Sequence, residues 1–253
     1  MIREEELTII FQFGTLSSHL GVQAIQIVFA RYGIPLTGFA LDSGKQMSLL
    51  KAISRLERSH ENNFNLTGQG FEFDLSPIRN SSLDRFTINS STPSALPWDD
   101  WVAHFADNSN FIMAWVGDSE YDHWQNAYDP LQYSAVNKPY THLPMKSNGQ
   151  PYPLERTIID TSANPGRRIL RDGYVEVVGT PMWLGAQFWH LTHADQMQVE
   201  NEPWLRVSRP LPHVTRLQAA EQCFVTAENG SGELQSKLRS ILFPVDGCPT
   251  SRL

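Results

Sequence analysis

The chain of 253 residues carries 20 basic and 27 acidic side chains, a formal net charge of −7, with 41% hydrophobic and 19% charged residues. That balance describes an ordinary globular protein and excludes a disordered or fibrous one. An acidic chain also lacks the basic face that neutralises phosphates, which argues against direct nucleic-acid binding.

The first apolar run, residues 7–13, reads as a buried strand closed by Gly14. A helix is expected over 17–32, because Val22, Ile25, Phe29 and Tyr32 share one face, and Gly33 and Pro35 stop it. A second helix is expected near Ser43, where Ser43-Gly-Lys-Gln46 fits a capping box ahead of Leu49, Leu50, Ile53 and Leu56. Residues 71–75 alternate with period two and pair with a strand over 85–88, while Gly68-Gln-Gly70 supplies a turn. Pro97 opens a short helix with Trp98, Trp101, Val102 and Phe105 on one face. Asp99 and Asp100 fall in its first turn, where the helix dipole favours carboxylates.

Residues 111–116, Phe-Ile-Met-Ala-Trp-Val, are the strongest buried-strand candidate, ended by Gly117 and followed by an acidic loop. Pro139, Pro144, Pro151 and Pro153 with Gly149 mark a long loop near 137–154, an insertion or an internal boundary. Strand-like runs follow at 157–159, 174–178, 181–184 and 214–217, with Phe188 and Trp189 leading into a polar loop. The last helix places Leu234, Leu238, Ile241 and Leu242 together and stops at Pro244. Strands and helices mix without regular βαβ alternation. The expected fold is therefore α+β: a mixed, largely antiparallel sheet packed with several helices, one globular unit over 1–253.

The charge has an address. No lysine or arginine falls between Arg85 and Lys138, and that stretch holds Asp99, Asp100, Asp107, Asp118, Glu120, Asp122 and Asp129. Without those seven, the remainder balances at 20 acids against 20 bases. Four of the seven tryptophans, at 98, 101, 115 and 124, lie in the same stretch. Two causes fit: acids that cap helices and solvate an outer face, or an acidic, aromatic surface for a basic partner. With Asp99 and Asp100 assigned to a helix start, the candidate partner-binding residues are Asp118, Glu120, Tyr121, Asp122 and Trp124.

Catalytic patterns are sparse. His190-Leu-Thr-His193 with Asp195 has metal-like spacing but lacks the glutamate of a zinc-protease helix, so a metal-dependent hydrolase is the rival reading only. Asp118, Glu120, Asp122 and His123 lack the glycine and terminal glutamate of an EF-hand loop. There is no Gly-x-Ser-x-Gly elbow and no phosphate-binding glycine loop. Arg156, Arg167, Arg168 and Arg171 are interrupted by Asp160, Asp172 and Glu176, which favours a structural network over a phosphate cradle. No catalytic residue, metal or cofactor is expected. The amino terminus lacks a signal-peptide pattern, no run is long enough to span a membrane, and Cys223 and Cys248 read as reduced thiols, so the cytoplasm is expected.

Ile159-Asp-Thr-Ser-Ala-Asn-Pro-Gly-Arg167, then Gly173-Tyr-Val-Glu-Val-Val-Gly179 and Met182-Trp-Leu-Gly185, form an ordered pattern. It resembles the Immunity protein 52 family of polymorphic-toxin immunity proteins, including members from type VI secretion systems. The resemblance spans about residues 7–188 and implies a cytoplasmic α+β protein without enzymatic activity. Such a protein binds and neutralises a cognate toxin, typically one with a restriction-endonuclease-like nuclease domain. It brings no binding motif, so Asn164, Pro165, Gly166, Trp183 and Gly185 are read as fold determinants. An adaptor for secretion cargo, which binds a partner without neutralising it, is the third reading.

Overall fold

The computed structural model describes residues 4–42, 44–59, 62–90 and 97–244. β1 (Glu5–Gln12) leads into α1 (Ser18–Arg31), with Gly33 at φ +66° directly after the helix. β2 (Phe39–Leu41) and β3 (Gln46–Met47) form a small hairpin before α2 (Leu49–Ser59). The expected capping serine, Ser43, lies outside the described residues, and Gln46 belongs to a strand. The start is instead held by Ser48, whose Oγ accepts from the Lys51 N–H at 3.3 Å. β4 (Phe64–Gly68), β5 (Phe71–Ile78) and β6 (Leu83–Ser90) make a meander, turned at Gln69-Gly70 as expected. Phe73 lies opposite Ile88 and Leu75 opposite Phe86.

α3 (Trp98–Ala106) follows Pro97, and β7 (Phe111–Asp118) runs two residues beyond the expected end at Val116. α4 (Ser119–Asn126) and α5 (Pro130–Ala135) precede a ribbon of β8 (Met145–Ser147) and β9 (Thr157–Ile159) that closes the proline-rich loop. A second ribbon pairs β10 (Ile169–Arg171) with β11 (Tyr174–Glu176). β12 (Met182–Gly185) runs into α6 (Ala186–Thr192), so Phe188 and Trp189 are helical rather than in a loop. α7 (Gln196–Glu200), β13 (Arg206–Leu211), β14 (Val214–Gln218) and α8 (Ser231–Leu242) are the last of the described elements.

Among the described residues ten strands form one sheet in the order β13-β14-β12-β7-β1-β6-β5-β4-β2-β3. Each described pairing is antiparallel. The α+β reading holds, and strands from before and after the 137–154 loop join the same sheet. Both faces of the sheet are covered. Leu7, Ile9 and Phe11 of β1 and Trp183 of β12 pack with α1, α2 and α3. Ile10, Met113, Trp115 and Leu184 face the other way, against α6 and α8. Burial on both faces explains why β7 is apolar without alternation. The segment after residue 203 lies outside the family resemblance, yet β14 pairs with β12, and Leu238 and Leu242 complete the second core.

A candidate protein-binding cleft at helix α4

The stretch expected as an acidic loop is a helix. Asp118 ends β7 in extended conformation and caps α4, its Oδ1 accepting from the Tyr121 N–H at 2.8 Å. Glu120 and Asp122 occupy the first turn, where the N-terminal end of the dipole favours them. Asp118-Ser-Glu is thus an N-terminal helix signal of the same kind as Asp99 and Asp100 on α3.

The helix gives its five candidate residues different degrees of burial. Glu120 is exposed, Asp118 and Trp124 are half-buried, and Tyr121 and Asp122 are buried. The Tyr121 hydroxyl donates to Gln235 Oε1 of α8 at 3.0 Å, and burial pushes its pKa up to about 12. Asp122 lies against the β7 backbone: a Cβ on Gly117 would come within 2.7 Å of its Oδ2, so glycine leaves the carboxyl its space. Burial raises the Asp122 pKa to about 6, opposed by Arg168 and reinforced by Glu6 and Asp118. Asp122 is therefore an interior acid, in contrast to its expected place on an exposed loop.

Asp118, Glu120, Tyr121 and Trp124 line one open cleft of about 760 Å³. Its other walls come from the turn after α5, the base of the β8–β9 ribbon and residues 225–228. Three further acids have different roles: Asp160 and Glu228 line the cleft, whereas Asp129 caps α5 through a capping box with Gln132. Asp160 accepts from Lys146 Nζ at 2.7 Å, which holds its pKa down to about 2. Trp124 and Tyr133 face each other at 4.7 Å between ring centroids, and Tyr140 lies 6.0 Å from Tyr133. Asp160, Glu228, Tyr133 and Lys138 were not among the expected residues. Glu228 sits more than a hundred residues from α4 in sequence, so no local pattern joins them.

Polar contacts beneath α4 fix the cleft floor. Asn164 Nδ2 donates to the Gln125 carbonyl at 2.8 Å, and the Gly166 N–H donates to Gln125 Oε1 at 2.9 Å. A Cβ at Gly166 would approach Gln125 Cγ to 2.7 Å, so the Asn-Pro-Gly turn docks by close backbone approach. The Arg168 N–H donates to Asn126 Oδ1 at 2.6 Å. Arg239 of α8 donates to Glu176 Oε1 at 2.8 Å and to the Arg167 carbonyl, while Arg171 donates to Glu176 Oε2 at 2.8 Å. The arginine-rich segment thus forms a structural network. Trp183 fills core as expected, and its Nε1 also donates to Asp99 Oδ1 at 2.9 Å. Asp99 additionally accepts from Arg216, and Asp100 from Arg31 and Tyr32.

His190 and His193 are both exposed, at the end of α6 and directly after it. Among the described residues no group of three or more His, Cys, Asp or Glu side chains is placed to hold a metal ion. Among the same residues no helix is long and apolar enough to cross a membrane.

No family model matches the chain, and no curated protein matches it by sequence. Its fold is similar to that of the Pseudomonas aeruginosa T6SS protein PA0821, at a TM-score of 0.53 and 12% identity. The match covers 95% of this chain and 73% of that one. The likeness is one of fold.

Proposed function

We propose that the chain is a cytoplasmic immunity protein, a stoichiometric inhibitor that binds and neutralises a cognate nuclease toxin of a type VI secretion system. It acts by occupying its partner, not by enzymatic chemistry. The observation that carries this reading is the cleft at α4, where carboxylates and aromatic rings share one open surface. A nuclease presents basic residues to its phosphate substrate. A surface of opposite charge speeds encounter with it, and buried aromatic anchors slow release. The fold likeness to a T6SS protein and the Immunity protein 52 pattern over 159–185 support the same reading.

The test is direct. The purified chain, mixed at equimolar ratio with the nuclease encoded beside it, abolishes DNA cleavage, and co-expression restores growth. Unimpaired cleavage overturns the inhibitor, and binding without protection identifies an adaptor. Reversing the exposed pair Glu120→Lys and Glu228→Lys weakens the complex and its salt dependence by far more than the small loss of stability expected from a lysine in the first turn of α4. Unchanged affinity moves the interface away from α4.

A further inference from the structure

Lys138, the first basic residue after Arg85, reaches the cleft from the turn that ends α5. Its backbone N–H donates to the Tyr133 carbonyl at 2.9 Å, and Asn137 before it holds φ +55°. These contacts deliver the side chain onto α4, where Nζ lies 4.6 Å from the centroid of the Trp124 ring. Trp124 is in turn backed by Tyr133. The cleft therefore already holds a cation against its aromatic wall, and that cation belongs to the chain itself.

We infer that this cleft is a receptor for an arginine side chain presented by a partner protein, and that Lys138 is an internal stand-in displaced when the arginine enters. A guanidinium suits the place better than the resident ammonium. It is planar and weakly hydrated, so it stacks on an indole at less cost in lost water, and its several N–H groups reach carboxylates while it stacks. Glu120 and Glu228, both exposed on the cleft walls, are the acids placed to receive it. Asp160 is engaged by Lys146. The surroundings fit a protein partner in preference to a free cation. Val225 lines the cleft with half its surface exposed, and the loop closed by the β8–β9 ribbon exposes Tyr152 and Leu154.

This inference deepens the proposed function, since a toxin's basic surface would supply the arginine, but its test needs no toxin. N-acetyl-arginine amide is titrated into the nitrogen-15-labelled full chain and followed at the Trp124 indole N–H, with N-acetyl-citrulline amide as the neutral isostere. The arginine probe shifts the Trp124 signal saturably and the citrulline probe leaves it in place. Lys138→Ala removes the competitor and tightens arginine binding by about two- to tenfold. Glu120→Gln with Glu228→Gln, surface changes that leave the fold intact, weaken it by a similar factor. Equal response to both probes overturns the receptor. Unchanged or weaker binding in Lys138→Ala overturns the stand-in. Arginine binding by a chain that fails to inhibit the toxin would keep the receptor and remove the inhibitor.

Discussion

The two faces of the sheet are built on different principles. Against α1, α2 and α3 the core is dominated by aromatic rings, and its few buried polar groups, such as Ser18 and Asp84, lie at the edge near the start of α1. Phe29 lies within 5.4–5.9 Å of the rings of Phe39, Phe71, Phe73 and Trp101. Phe73 also meets Trp101 at 5.6 Å, and Phe86 meets Phe105 at 5.0 Å. The opposite face holds an apolar core too, but charged and polar groups run through its margin: Asp122, Glu176, Gln235 and Arg239 are all buried. Apolar burial is strong and non-directional, so the first face fixes stability without specifying fine geometry. Hydrogen bonds to buried charges add little net stability and much orientation. The cleft sits on the second face, where the floor under α4 must hold its angle.

The contrast predicts different responses to damage. Trp101→Ala opens a void in the aromatic face, and with no polar bonds to rearrange it costs about 4–5 kcal/mol, measured as a fall in urea unfolding free energy. A loss below about 1 kcal/mol would mean that the first face collapses around the gap and does not carry the stability assigned to it. Arg239→Met on the second face leaves Glu176 with Arg171 as its remaining partner and costs about 3–4 kcal/mol. Here a second substitution helps. Arg239→Met with Glu176→Leu removes the buried carboxylate that has lost one of its two arginines and regains much of the stability, while the Trp124 indole signal shifts because the turn over 164–166 loses its clasp. Two losses that simply add would erase the distinction between the faces.

The sequence was legible where one local pattern decided the outcome. The apolar periodicity of α1, the Pro97 start of α3, the β5–β6 pairing and the last helix follow from spacing that tertiary contacts reinforce. Four of the five candidate residues do share a cleft, because α4 turns them toward one side. What spacing did not convey is direction. Asp118 to Asp122 look alike as a string of acids, yet one caps, one faces solvent and one is buried. The concentrated charge of 86–137 is accordingly explained in large part by contacts within the chain: Asp99 and Asp100 bind across to neighbouring elements, and Asp118 and Asp129 cap helices. Lys138, Asp160 and Glu228 enter the site from three other segments, and only the fold brings them to it.

Asp122 gives the smallest of the expected effects and separates the faces by pH. Its pKa of about 6 in the folded chain lies above the ordinary 3.8 because burial disfavours the carboxylate. Between those two values the folded state holds the proton that the unfolded state has released. Stability from this group is therefore complete below about pH 4, falls as the pH rises through about 6, and is gone above about pH 7. The difference amounts to roughly 2–3 kcal/mol at about 1.4 kcal/mol for each unit. Asp122→Asn mimics the protonated acid, so it matches the parent chain near about pH 4 and exceeds its stability by roughly 2 kcal/mol near about pH 8. Urea midpoints of the two chains, compared across that range, cancel the titration of every other group. A constant gap between them would show that Asp122 keeps its ordinary pKa, and that water reaches the seam where Asp122 packs against Gly117 of β7.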